Sequence, residues 1–400
     1  MKVLLLGDYS NVHATLAEGL RALGHNVTVA SDGDGWKNFP RDVDLSRKGR
    51  NGLVHYLRLW SKFHEFRGYD VVQIINPVFL PLKAERIWPF YRFLRRHNKK
   101  IVMGAFGMDY YYIDACLDCK TFRYSDFNFG SQLRHYPTAD AFRCDWYEGR
   151  KGELNRRIAS DCDGIVSGLC EYWASYQRIS ALREKLTYIP FPIKVSNAAP
   201  SSSSSEDRLG DVCTFFVGIQ RGKEEYKGTD VMLRALERVE REMPDRCRIV
   251  KVESVPFAEY VRLLQSSDVL LDQLYSYTPA MNALEAMARG IVVVSGGEPE
   301  NYEILGESEL RPIVNVQPDE DDVYQKLRHL ATHPEEVARL KRESVAYIQR
   351  HHDHMEVAAK FVEYWQSPRH QELRQGNLRS FCPNRGQSQC DDRITIHQLH

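Results

Sequence analysis

Two stretches of the 400-residue chain set charged and backbone groups where a phosphorylated ligand would need them. In Phe215–Asp230 (FFVGIQRGKEEYKGTD) an apolar strand ends at Gly218, and a loop follows with Arg221, Lys223 and Lys227. Two cations, Arg221 and Lys227, at a strand's carboxyl end can neutralise a diphosphate leaving group. In Asp268–Glu303 (DVLLDQLYSYTPAMNALEAMARGIVVVSGGEPENYE) a strand ends near Asp272. Thr278 is the expected N-cap there, and Pro279 the first helical residue. Met281, Leu284 and Met287 predict a helix over 279–289, closed by Gly290. That turn would aim the N–H groups of Ala280, Met281 and Asn282 at a cleft, as a phosphate site requires. Glu285 lies about two turns along, and its carboxylate can accept hydrogen bonds from two neighbouring ribose hydroxyls. Each feature taken alone is more often just a solvated loop or helix face.

The elements that must position these groups alternate along the chain. KVLLLG at residues 2–7, an apolar-periodic helix over 11–23 and NVTVA at 26–30 make a βαβ unit, hence a parallel sheet. Strands are also expected at Tyr69–Asn76, Lys100–Gly104 and Gly164–Ser167. Five consecutive serines sit in residues 195–209, a composition that reads as a linker. Alternation then resumes: strands at Cys213–Val217, Arg248–Val252, Val269–Asp272 and 291–295, with helices between and after them. The fold class is α/β, with two Rossmann-like doubly wound domains facing across a cleft. The expected divisions are 1–194, a linker at 195–209, 210–352, a helix at 353–366 that crosses back, and a disordered tail at 367–400. Ligands of such folds bind at the carboxyl ends of the strands.

The two chemical segments together resemble the retaining GT-B glycosyltransferases of family 4, also called group 1. The family's V-G-R-x-x-x-x-x-K-G loop is matched by Val217-Gly218 and by Arg221 through Lys227-Gly228, with the arginine displaced. Its L-E-A-M-A-x-G and G-G-x-P-E are matched at Leu284–Gly290 and Gly296–Glu300. The resemblance spans residues 1–366 and implies transfer of a sugar from a nucleotide-sugar donor, UDP or GDP most readily, to a glycan or lipid-linked acceptor with retention. It implies no resident cofactor and no metal, a diphosphate held by Arg221, Lys227 and Gly218, and a donor ribose on Glu285. Three positions depart from the family. Tyr277 stands where the first glutamate of E-x7-E contacts the donor sugar, leaving the Tyr277 hydroxyl, Thr278, Asn282 or loop amides for that task. Asp8-Tyr9-Ser10-Asn11 replaces the glycine pair of the first loop, where His13 could reach the sugar or acceptor. Phe106-Gly107 replaces a His-Gly, and Asp109 is the nearest substitute for that histidine. An inactive GT-B binding protein, or another GT-B enzyme such as a sugar-nucleotide epimerase, is the rival expectation.

Composition is that of a globular chain, 43% apolar and 27% charged. Its 54 basic and 54 acidic residues divide unevenly, with a net +8 over residues 1–195 and −8 over 196–400. The start is too soon charged for a secretory signal, and no apolar run would span a bilayer, so a cytoplasmic protein is expected. Residues 83–100 (KAERIWPFYRFLRRHNKK) carry seven basic residues interleaved with aromatics. They are either a peripheral contact with an anionic inner membrane face or a helix whose aromatics pack inward. Cys116, Cys119, His135 and Cys144 could bind zinc, but their spacing fits no zinc pattern and reads as reduced thiols. No nucleic-acid motif is present.

Overall fold

The computed structural model describes residues 1–49, 51–195, 212–220, 222, 224–253 and 255–367. The first domain holds β1 (Lys2–Leu6), β2 (Asn26–Ser31), β3 (Val43–Asp44), β4 (Val71–Ile74) and β5 (Ile101–Ala105). A small antiparallel hairpin, β6 (Asn128–Phe129) and β7 (Gln132–Leu133), precedes β8 (Gly164–Ser167) and β9 (Leu186–Tyr188). The seven-stranded sheet runs β3-β2-β1-β4-β5-β8-β9, and every pair in it is parallel. Helices cover both faces, so the strands are continuous apolar runs, with Val3 to Leu6 fully buried. β4 is shorter than the expected 69–76. Asn76 accepts a hydrogen bond from the Val78 N–H at 2.9 Å, and this turn ends the strand.

The second domain has β10 (Cys213–Ile219), β11 (Cys247–Glu253), β12 (Val269–Leu271), β13 (Val292–Ser295) and β14 (Val314–Asn315), all parallel, in the order β11-β10-β12-β13-β14. The serine-rich stretch at 196–211 and the tail from 368 onward lie outside the described residues. The helix His354–Gln366 returns to the first domain. Val357, Ala358, Phe361 and Trp365 are buried, and the Tyr364 hydroxyl donates to the Lys185 carbonyl at 2.9 Å.

Residues 83–100 form the helix Trp88–His97 with Phe90, Tyr91 and Leu94 buried. Phe90 stacks on Trp60 with centroids 4.2 Å apart, and Arg95 pairs with Asp163 at 2.5 Å. The aromatics of this segment therefore go into the domain core. Among the described residues no helix is long and apolar enough to cross a membrane, and no group of three or more His, Cys, Asp or Glu could hold a metal. Cys116 is buried in the helix Tyr110–Leu117, Cys119 is half-buried and Cys144 is exposed.

Candidate functional site in the cleft

The carboxyl ends of β10, β12 and β13 face the first domain. After β12 the chain runs through 272–280 into the helix Met281–Met287, which is shorter than expected at both ends. Ala280 is its N-cap, and Pro279 lies outside it. Thr278 does not cap the helix, because its hydroxyl donates elsewhere. Asn282 is fixed from both sides: its Nδ2 donates to Asp272 Oδ1 at 3.0 Å, and its Oδ1 accepts from the Tyr260 hydroxyl at 3.1 Å. One turn on, Glu285 pairs with Arg289 at 2.7 Å and stays partly exposed. Met281, Asn282 and Glu285 line a cavity of about 320 Å³. Its opposite wall belongs to the first domain, through Ser10, Asn11, Lys37 and Phe39.

The basic loop follows β10. Gly218 packs under the Tyr260 ring; a Cβ there would fall 3.0 Å from the ring edge. Arg221 is outside the described residues. Lys227 ends the short helix Glu224–Lys227, and its carbonyl accepts the Leu274 N–H at 2.9 Å. Gly228 has φ +71°, and a Cβ on it would sit 2.6 Å from Leu274 Cβ. Only glycine fits so close an approach with that backbone. The loop is thus held against the segment that leads into the helix Met281–Met287.

Tyr277 points away from the cavity, into a domain contact. Its hydroxyl accepts the Arg123 N–H at 2.7 Å, and the Arg123 guanidinium lies 4.7 Å from its ring centre. Arg123 also pairs with Glu298 at 2.8 Å and with Glu300, while the Tyr124 hydroxyl donates to Glu298 at 2.5 Å. Burial opposes the Glu298 charge, but the bonds from Tyr124, Asn315 and Gln317 hold its pKa below the ordinary value. Behind this contact, buried Glu171 accepts the N–H groups of Tyr277 and Thr278 and the Thr278 hydroxyl. Further along, Tyr226 of the basic loop is hydrogen-bonded to Asp126 of the first domain, which also accepts from the Tyr112 hydroxyl at 2.9 Å. Burial pushes the Asp126 pKa up to about 7.

Residues 228–363 match the family model described as glycosyl transferase-like. No curated protein matches the chain by sequence. Among solved structures, sucrose-phosphate synthase from Thermosynechococcus elongatus is 13% identical with a TM-score of 0.56, over 95% of this chain and 100% of that one. WaaG, a glycosyltransferase involved in lipopolysaccharide biosynthesis, is 13% identical with a TM-score of 0.53, over 92% and 100%. HepE from Anabaena, solved with UDP and glucose, is 12% identical with a TM-score of 0.53, over 91% and 99%. The chain has the GT-B fold.

In this GT-B framework the first-domain residues expected at the sugar are spent on local structure. Asp109 is the N-cap of the helix Tyr110–Leu117. It accepts the Tyr112 N–H at 2.8 Å and the Tyr176 hydroxyl at 2.8 Å, and burial lifts its pKa to about 7. His13 is fully buried, with Nδ1 2.7 Å from the Gly7 carbonyl, so Nδ1 carries the proton. Burial lowers its pKa to about 4, and the ring is neutral at pH 7. Neither residue lines the cavity. Asp8 accepts the N–H groups of His13 and Ala14 at 3.0 and 3.1 Å, occupying the start of the helix Val12–Ala22 with a carboxylate. Sequence reasoning missed Glu171, Arg123 and Tyr124, whose partners are remote in sequence, and Lys37 and Phe39, which carry no motif.

Proposed function

We propose that the protein is a glycosyltransferase that takes its sugar from a nucleoside diphosphate sugar. The observation that carries this reading is Glu285 on the wall of an interdomain cavity of about 320 Å³, with Gly218 packed under Tyr260 of the same wall. A cavity of that size suits a nucleoside. In this reading the ribose hydroxyls meet Glu285, the base lies against the apolar wall, and the diphosphate extends toward Lys227 and Arg221. These cations stabilise the departing diphosphate, whose oxygen takes the acceptor's proton as the new glycosidic bond forms with retention. No resident cofactor enters the reaction. The UDP found with HepE favours a UDP-sugar, and the role given for WaaG favours a glycan or lipid-linked acceptor. The test is incubation with UDP-, GDP- and ADP-sugars and mass detection of nucleoside diphosphate released. Release from one nucleotide class, lost in Glu285→Ala, supports the reading; no release and no nucleotide binding would sink it.

A second reading rests on a specific observation. Tyr277, Thr278 and Asp109 are all engaged in protein contacts, which leaves few side chains for the donor sugar. A GT-B protein that binds nucleotide without turnover would show binding in calorimetry and no release in the same assay.

A further inference from the structure

The nucleoside cavity is not built by the second domain alone. Phe39, from the loop after β2, meets Phe257 of the second domain edge to face, with centroids 5.8 Å apart at 85°. Lys37 precedes it on the same wall. Its ammonium donates to Asp34 Oδ2 at 2.7 Å and to Ser10 Oγ at 3.2 Å. Asp34 also accepts the Ser10 N–H at 2.9 Å, and the Phe39 N–H donates to the Gly33 carbonyl at 3.0 Å. The loop therefore holds both side chains in place. An ammonium has three donors; Lys37 gives two to these partners, and its Nζ also lies over the Phe39 ring, 5.6 Å from the centre, at a range that leaves the third N–H for a ligand. Asn11, on the same wall, has a buried Oδ1 with no hydrogen-bond partner among the described residues. The wall thus offers an aromatic edge, one donor and one acceptor, opposite Glu285.

Resting on the donor reading above, we propose that the first domain completes the nucleotide pocket. Phe39 packs against the base beside Phe257, and Lys37 donates to an oxygen of the nucleoside. Nucleotide binding then holds the two domains together without help from the sugar or the acceptor.

The test is isothermal titration of the full chain with UDP, GDP and ADP, using the tightest of them on Phe39→Ala, Phe39→Leu, Lys37→Ala and Glu285→Ala. Melting temperatures first establish that each variant is folded. Phe39→Ala is expected to weaken binding about tenfold, the worth of one aromatic contact, with Phe39→Leu weakened less. Lys37→Ala is expected to lose about fivefold, the worth of a modest hydrogen bond. If Phe39→Ala and Lys37→Ala bind within about twofold of wild type while Glu285→Ala is weakened, the inference falls and the donor reading stands. If wild type binds none of the three, or Glu285→Ala is also unchanged, both fall.

Discussion

Glu171 and Thr278 join the two domains by a paired contact: the Thr278 N–H donates to Glu171 Oε1 at 2.9 Å, and its hydroxyl donates to Oε2 at 2.5 Å. The Tyr277 N–H adds a third bond at 2.6 Å. The carboxylate is 6% exposed, so these bonds have no competition from water. Glu171→Ala would leave two buried N–H groups without an acceptor and the Thr278 hydroxyl with only Cys170 Sγ, at a cost of about 2–4 kcal/mol. Glu171→Gln keeps one oxygen for the two N–H groups and should lose about half as much. Thermal melts of both variants measure this. Equal melting temperatures for wild type and Glu171→Ala would show that the contact does not hold the cleft loop.

Tyr277, which the sequence resemblance sets where a glutamate would contact the donor sugar, is engaged in a domain contact. Its ring lies under Arg123, and its hydroxyl accepts from the Arg123 backbone. Tyr277→Phe removes one neutral acceptor and should cost about 1 kcal/mol with donor binding unchanged. Tyr277→Glu would place a carboxylate near Glu298 and Glu300, which Arg123 already pairs. It should destabilise more than the phenylalanine and confer no gain in turnover. A rise in turnover on introducing the glutamate would mean that this side chain does reach the donor.

The buried carboxyl of Asp126 sets a pH dependence of stability. Burial raises its folded pKa to about 7, against 3.8 for an unperturbed aspartate. Between these values the folded state holds a proton that the unfolded state has released. Stability from this group therefore falls as pH rises from about 4 to about 7, then levels off. Asp126→Asn removes the titration and keeps an amide that can bond Tyr112 and Tyr226. The melting-temperature difference, variant minus wild type, should grow between pH 5 and pH 7.5. A flat difference would place the Asp126 pKa near its ordinary value in the folded protein.

The strand and helix order of both domains can be read in the sequence because parallel strands are unbroken apolar runs and the helices keep their period. Val292–Ser295 and the helix around Leu284 stand close to where the pattern puts them. The helix period places Glu285 on that helix but leaves open whether it faces solvent, and only the packing puts it on the cavity wall. Glu171 was not, because its partner Thr278 lies 107 residues away and the stretch around it carries no motif. His13 and Asp109 have residue types suited to chemistry, but spacing along the chain does not reveal burial. Only the packing shows that one is desolvated and the other is a helix cap. Thr278 was expected to cap its helix, and it bonds instead across the cleft, because a neighbouring domain supplied a stronger acceptor.

The division of labour between Glu285 and Lys227 gives the sharpest kinetic prediction. Glu285 is on the cavity wall, and on the proposed donor reading it would meet the ribose in ground state and transition state alike. Its loss in Glu285→Ala should raise KM for the donor about ten- to a hundredfold, the worth of a charged acceptor's bonds, with kcat little changed. Lys227 is on the loop tied to Leu274, and on the same reading it would meet charge that develops on the leaving diphosphate. Its interaction strengthens as the glycosidic bond breaks, so Lys227→Ala should lower kcat about a hundredfold or more, with a smaller change in KM. Lys227→Arg keeps the charge on a longer side chain and should recover part of kcat. Steady-state kinetics with the identified donor separates the two. An effect of Lys227→Ala confined to KM would make it a ground-state phosphate contact and leave the leaving group to Arg221.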